Sequence, residues 1–353
     1  MAGPDFAARL IAWQRSHGRH DLPWQGTRDP YRIWVAEIML QQTQVATVIP
    51  YYQRFMLRFP DVATLAAAAE DEVLAQWSGL GYYARARNLH KAARVIVDAY
   101  GGRFPSDSSA LAALPGMGRS TAAAVAVFAF GQRAAILDGN VKRVLARHAG
   151  VAGWPGDRQV QARLWRIAED RLPGQEVETY TQGLMDLGAT VCTRSRPACD
   201  RCPVQEDCVA HRAGRTGELP SPRPRRPLPE RATALLVLLA GDEVLLEKRP
   251  PTGVWGGLWS LPETTLEEDG FTQARRLGYH PLRCQTLPPL VHDFTHFRLR
   301  MWPRLVQVQA ARGVAEAGRL WLPLEELKGA ALPAPVRRLL EQLTRERPWQ
   351  TPP

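Results

Sequence analysis

Residues 212–231, which include LPSPRPRRPLPER, constrain this fold more than any other stretch. Proline fixes φ and removes a backbone donor, so a segment this rich in proline and arginine reads as an extended, semi-rigid linker. The periodicity differs on its two sides. Before it, apolar residues recur at helical spacing. After it, ATALLVLLA, a GDE turn and VLLEKR read as a hairpin, FRLRMWPRLVQVQ alternates as a strand, and residues 333–345 look like a closing helix. The 353 residues suffice for two domains. The expected class is therefore multidomain: an all-α domain over 1–212, a Pro/Arg-rich linker over 213–230, an α+β domain over 231–346 and a tail over 347–353. No internal repeat is visible.

Charge narrows the partners. A formal net charge of +10 favours a polyanion or an acidic membrane surface, although a mildly basic protein with neither partner fits as well. No apolar run reaches the length of a membrane span and no signal-peptide core follows the first residues, so a cytosolic chain is expected. Four of the five cysteines, Cys192, Cys199, Cys202 and Cys208, form a C-x6-C-x2-C-x5-C array. Such clustering is a metal signal rather than a distributed disulfide framework. Structural zinc usually shows two close pairs; one pair with long outer spacings fits a four-thiolate cubane cluster at least as well.

The helical half carries the other chemical residues. A helical pattern covers 5–17. Asp29 and Pro30 read as an N-cap and first-turn proline for a helix running YRIWVAEIMLQQTQVATVI and stopping at Pro50. Glu37 falls within its apolar stripe, where burial would raise its pKa and make a general acid; alternatively it is partly solvated or paired with Arg32. The QQTQ at 41–44 suits base-edge hydrogen bonding or plain helix surface. Residues 61–77 read as a helix or helix pair. Tyr82 and Tyr83, followed by Arg85, Arg87 and Lys91, suit stacking plus phosphate contact, or an ordinary helical hairpin. In residues 114–143, Gly116 and Gly118 offer backbone N–H groups to a phosphate, Ser120 and Thr121 open an apolar helix ending at Phe130, and Asp138 and Asn140 flank Gly139. These read equally as a phosphate clamp delivering a carboxylate or as a helical corner with a capping aspartate.

Taken together, DLPW at 21–24, EIMLQQTQVATVIPYY at 37–52, GLGYYARARNLHKAA at 79–93, LPGMGRST at 114–121, LDGNVKRVLAR at 137–147 and the cysteine array resemble the adenine DNA glycosylase family of the helix–hairpin–helix glycosylases. The resemblance covers nearly the whole chain. It implies a helix–hairpin–helix glycosylase domain whose loop at 192–208 carries a [4Fe–4S] cluster, and a Nudix-like second domain. It implies a monofunctional DNA glycosylase of base excision repair that hydrolyses adenine from mispairs with 8-oxoguanine or guanine in double-stranded DNA. It implies roles for residues as well: Glu37 as general acid, Asp138 stabilising the oxocarbenium-like sugar, and Asn140 orienting this chemistry. Trp24 and Gln182 would contact the extruded adenine, Gln42 and Tyr82 would wedge into the duplex, and Thr43 and Leu80 would lie near the opposite base. The backbone of Gly116 and Gly118 would hold phosphate. Lyases of the endonuclease III type carry lysine where this chain has Ser120, and a hydroxyl cannot form a Schiff base. Lys142 is close enough in sequence to trap an abasic sugar.

In the second domain GVWGGLW at 253–259 and Glu263 match the start of a Nudix box, but Phe271, Thr272, Gln273 and Ala274 stand where its Arg-Glu pair and metal-binding glutamates belong. The resemblance implies lesion recognition by Phe294, Thr295 and His296, with threonine in place of the family's serine; the alternative, that His292 and His296 only pack or hydrogen-bond within a strand, is disfavoured because the loop matches in context. A cytoplasmic monomer is expected, nucleoid-associated if the source is bacterial. The rivals are a lyase acting on oxidised pyrimidines and a non-catalytic DNA-binding module.

Overall fold

The computed structural model describes residues 5–224, 227–309, 318–347 and 349. Down the chain the helices are α1 (Phe6–His17), α2 (Pro30–Leu40), α3 (Val45–Arg58), α4 (Val62–Ala67), α5 (Glu70–Trp77), α6 (Ala84–Tyr100), α7 (Ser108–Ala112), α8 (Arg119–Phe130), α9 (Gly139–His148), α10 (Arg158–Asp170), α11 (Val177–Asp186) and α12 (Val209–Arg212). A π-turn, Leu187–Val191, continues α11. Then come β1 (Glu230–Ala240), β2 (Glu243–Lys248), β3 (Trp259–Ser260), β4 (Glu263–Thr264), α13 (Gly270–Arg276), β5 (Pro281–Thr286), β6 (Leu290–Asp293), β7 (Arg298–Val308), β8 (Arg319–Pro323) and α14 (Ala334–Glu346). No helix among the described residues is long and apolar enough to cross a membrane.

The chain divides into one compact unit of 1–67 with 88–225 and another of 68–87 with 226–353. The first is helical. Its core joins Phe6 and Leu10 of α1, Val127 of α8, Val141 and Leu145 of α9, and Tyr180 and Leu184 of α11. α8 buries Ala122, Ala123, Ala124, Ala126 and Ala129, and these small side chains let α2 and α7 pack closely on it. The second unit is built on a mixed sheet in the order β3-β2-β1-β7-β5, with β4 on β1, β6 on β7 and β8 on β2. β1 and β7 run parallel, from Glu230 beside Arg298 to Leu239 beside Gln307. The middle of β1, Ala234 to Leu239, is buried on both faces, and Ala274 of α13 completes a core with Leu236, Leu238, Leu245, Val306 and Val308.

One expectation changes, and two further segments show packing that the sequence pattern leaves open. The helix begun at Pro30 does not run to Pro50. It ends at Leu40, the chain turns through Gln42 at φ +59, and a new helix starts at Val45 with Pro50 inside it. Pro50 falls just past the first turn, where it removes one hydrogen bond while buried Val48, Tyr52 and Phe55 hold the helix. Residues 68–87 pack with the strand-bearing unit. Within that unit Tyr83 Oη donates to the Leu332 carbonyl (3.2 Å) and Arg337 Nη2 to Ser78 Oγ (3.0 Å), while Lys248 pairs with Asp71. The first part of the 213–230 linker is packed against the helical unit. Leu219 is 2% exposed, its carbonyl accepts from Arg147 Nε (2.8 Å), and Ser221 N–H donates to the Gly153 carbonyl (3.2 Å). Residues 225 and 226 of the linker, and the 347–353 tail except Arg347 and Trp349, lie outside the described residues.

Candidate active site

The site begins with the way α2 starts. Asp29 Oδ1 accepts the Tyr31 N–H (2.9 Å) and Pro30 takes the first helical position, so the helix is set in register before its apolar face begins. Ile33, Trp34 and Ile38 are buried on it. Glu37, between them, faces a cavity of about 590 Å³ that Trp24, Arg19, Gln182 and Met185 also line. The alternative partner for Glu37 is engaged elsewhere: Arg32 pairs with Asp29 (3.5 Å). Burial, and secondarily the Asp138 carboxylate, push the Glu37 pKa up to about 8. The interior disfavours the charged form, so the carboxyl holds its proton at neutral pH.

Asp138 arrives by a different route. Gly116 adopts φ +74, and a Cβ there would come within 2.6 Å of Asn88 Cβ; only glycine fits the turn. Gly118 then caps α8 without a side-chain acceptor, which leaves first-turn N–H groups available to an anion. Ser120 Oγ accepts the Leu137 N–H (2.9 Å). This bond ties the start of α8 to the residue that precedes Asp138. Asp138 caps α9, its Oδ1 accepting from Val141 N–H (2.7 Å). The capping and catalytic readings are therefore compatible: one oxygen is fixed by the helix. Burial raises the Asp138 pKa, opposed by the Val141 and Asn140 N–H groups and by Arg143 and Lys142. Burial lowers the Lys142 pKa, with Asp138 opposing.

Arg143, which sequence reasoning missed, organises this corner. Its Nη2 donates to Asn140 Oδ1 (2.8 Å) and to the Gly188 carbonyl (2.7 Å), and its Nε to the Cys192 carbonyl (2.7 Å). The signal was available as an arginine one turn after Asn140. Gly188, in the π-turn, abuts Asn140 so closely that a Cβ would lie 2.6 Å from the Asn140 Cβ. Arg19 was missed in the same way, and Asp186 was visible only as a polar residue on the helix that bears Gln182. Asp186 is buried and accepts from Arg19 N–H (3.0 Å), Arg19 Nε (2.7 Å) and Gln182 Nε2 (2.9 Å). A carboxylate only accepts, so it fixes the Gln182 amide with nitrogen toward Asp186 and oxygen free for the cavity. Trp24 is buried and meets Tyr52 edge to face at 5.4 Å.

The four cysteines converge on one cavity with Val144, Leu187, Val191 and Val204. All four are free and half-buried. Burial first, and then the neighbouring thiols, raise the pKa of Cys199 and push that of Cys202 up to about 12. Arg147 braces the loop, with Nη1 donating to the Thr193 carbonyl (2.7 Å) and to Cys192 Sγ (3.4 Å), and Nη2 to the Arg194 carbonyl (3.0 Å). Among the described residues no three His, Cys, Asp or Glu side chains gather as a single metal ion requires. Four soft donors around a largely apolar hollow nonetheless fit an iron–sulfur group, whose ligands stand farther apart and are thiolates.

The remaining candidates are divided between the units. Gln42, exposed at φ +59, and half-buried Thr43 sit in the helical unit, where neighbouring Gln41 Nε2 donates to Thr121 Oγ1 (3.2 Å). Leu80 and Tyr82 sit in the other unit. Tyr82 is exposed at φ +49 while Leu80 is buried, and Arg85 holds their turn by donating to the Leu80 (3.4 Å) and Gly81 (3.1 Å) carbonyls. Phe294, Thr295 and His296 form the β6–β7 turn, closed by Phe294 N–H donating to the Phe297 carbonyl (2.9 Å). Thr295 and His296 are exposed.

Comparison with known proteins bears on both units. Residues 35–170 match the HhH-GPD superfamily base excision DNA repair protein family, and residues 233–342 match the NUDIX domain. An adenine DNA glycosylase of Buchnera aphidicola subsp. Acyrthosiphon pisum is 33% identical over 95% of this chain and 97% of its own. An adenine DNA glycosylase of Mus musculus is 35% identical over 95% of this chain and 77% of its own. Among solved structures, a thermostable thymine-DNA glycosylase aligns with a TM-score of 0.54 and 32% identity, covering 59% of this chain and 95% of that one.

Proposed function

The chain belongs to the adenine DNA glycosylase family, and on that footing we propose that Glu37 and Asp138 divide the hydrolysis of an adenine N-glycosidic bond between them. The observation that carries this reading is the raised pKa of Glu37, at about 8, beside the cavity it lines, with burial as the first cause and the nearby Asp138 carboxyl as the second. Excision needs the base out of the duplex, at a cost of a few kcal/mol. It then needs a proton for the leaving base and a negative charge for the sugar cation. Glu37 is neutral at pH 7 and delivers the proton to adenine. Asp138, oriented by α9 and held by Leu137 through Ser120, faces the sugar with its second oxygen. Asn140, fixed by Arg143, orients the same corner. Gln182 offers its amide oxygen to the exocyclic amine of adenine, and Trp24 walls the pocket. The substrate is double-stranded DNA carrying adenine opposite 8-oxoguanine or guanine. Gly116 and Gly118 take the backbone phosphate, Gln42, Thr43, Leu80 and Tyr82 meet the disturbed duplex, and Phe294, Thr295 and His296 read the opposite base. Cys192, Cys199, Cys202 and Cys208 would hold a [4Fe–4S] cluster that keeps the loop, and through Arg143 the Asn140 corner, in place. The enzyme acts as a cytoplasmic monomer.

Single-turnover excision on an adenine·8-oxoguanine duplex tests the assignment: Glu37→Gln and Asp138→Asn should bind the duplex and fail to release adenine. Normal release by either variant rejects it. Iron and sulfide analysis with the visible absorption spectrum tests the cluster; zinc at one equivalent would refute it. Lys142, half-buried beside Asp138 with a lowered pKa, supports slow trapping of the abasic product. Borohydride should capture a small fraction of wild type and none of Lys142→Gln.

A further inference from the structure

Trp255 sits in the strand-bearing unit at φ +54, a conformation that bulky side chains rarely adopt. The turn around it is tight. Gly257 N–H donates to the Pro250 carbonyl and Leu258 N–H to the Trp255 carbonyl, both at 3.0 Å. A Cβ on Gly256 would lie 2.7 Å from the Pro251 oxygen. Arg87, on α6, donates to the Gly256 carbonyl. A residue kept in such a backbone state is over-determined by its surroundings, and here the surroundings are rings. The Trp255 indole is 8% exposed and lies 5.6 Å from the Phe294 ring and 5.8 Å from His292. His292 and Phe294 meet edge to face at 4.6 Å, and Phe294 stacks on Phe297 at 4.6 Å. Arg231 lies over Phe297 at 4.6 Å. Burial and Arg338 lower the His292 pKa, so at neutral pH its ring packs uncharged. The exposed tip formed by Thr295 and His296 thus stands on a stack of aromatic side chains, with Trp255 supplied from a separate segment.

We infer that Trp255 is a positioning residue for lesion discrimination: its indole fixes Phe294, and through it the Thr295–His296 tip, in the geometry that reads the base opposite adenine. This rests on the proposed lesion-reading role of that tip. Trp255 itself need not touch DNA. Without the indole Phe294 gains rotameric freedom and the tip loses its aim, while Glu37 and Asp138, in the helical unit, keep their chemistry.

The experiment compares single-turnover excision opposite 8-oxoguanine and opposite guanine for wild type, Trp255→Gly and Trp255→Phe, with a melting temperature for each. Glycine accepts φ +54 freely, so Trp255→Gly removes the ring and relieves the backbone together. Taking the indole away from Phe294 and His292 should lower the preference for 8-oxoguanine about tenfold, with the rate opposite guanine held within about twofold. Trp255→Phe should recover most of the preference. An unchanged preference in Trp255→Gly overturns the inference, as does an equal fall on both substrates that tracks the melting temperature. A wild type that does not distinguish the two duplexes overturns instead the lesion-reading role on which the inference rests.

Discussion

Glu37 and Asp138 in the helical unit are half-buried carboxyl groups whose pKa values desolvation pushes up. In the strand-bearing unit Glu230, Asp269 and Asp293 have theirs pushed down. Arg300 holds Glu230, Arg298 holds Asp293, and the Thr272 N–H holds Asp269. The same side-chain chemistry thus serves opposite ends. An acid at the surface, given a guanidinium or a helix N-terminus, ionises readily and contributes modestly to the fold. A desolvated acid with no cation to pair it resists ionisation and costs stability, which the surrounding apolar core must offset. Proton delivery needs the second arrangement, whereas presenting a recognition turn on a sheet needs only the first.

Direct substitution breaks this contrast most sharply. Glu37→Gln and Asp138→Asn should each slow adenine release by roughly 10³-fold or more, whereas Asp293→Asn should leave the rate opposite guanine within about twofold; single-turnover kinetics measures all three. Next in size is Gly188→Ala. Its Cβ would meet Asn140 at 2.6 Å, and overpacking of this kind costs about 1–3 kcal/mol, so we expect a lowered denaturation midpoint together with at least tenfold slower release. The pH dependence is subtler. Glu37 must be protonated, so release should decline as pH rises through about 8, and that limb should come from a coupled pair rather than from one group. The linked stability has a definite sign. The folded pKa of Glu37 lies above its unfolded value, so its contribution is complete below the ordinary carboxylate range and is lost as pH rises through about 8. Glu37→Gln should therefore gain stability relative to wild type as pH increases, read from urea midpoints between pH 5 and pH 9. The smallest effect belongs to Ser120→Ala, which leaves the Leu137 N–H without its acceptor at a cost of about 1 kcal/mol and slows release only a few-fold.

Much of this arrangement is legible in the residues. The change of period across the proline-rich stretch separates the helical and strand-bearing halves, because 3.6- and 2-residue repeats cannot share an element. Asp29-Pro30 announces α2, and Gly116 announces a turn that no other residue fits. Pro50 misled because a proline is costly only relative to where its helix begins, and that point was set by Gln42 turning left-handed upstream. The packing of the 68–87 segment is less legible. Its helical pattern suits either unit, and long-range bonds such as Tyr83 to Leu332 and Arg337 to Ser78 decide its place. Gln182 was identifiable as a polar residue on a helix, but its orientation depends on Asp186 and, beyond it, on Arg19, 167 positions away in sequence from Asp186.

Residue types and spacings therefore determined the chemical inventory: two acids, four thiols, a glycine turn and an aromatic–histidine turn. They also determined the local elements that carry these groups, since caps, turns and periodicity act over a few residues. Tertiary structure alone decided that Glu37 and Asp138, a hundred positions apart, share one field, that Arg143 joins Asn140 to the cysteine loop, and that Trp255 underlies Phe294. Burial and charge coupling depend on distance in space, and no short-range rule carries that distance.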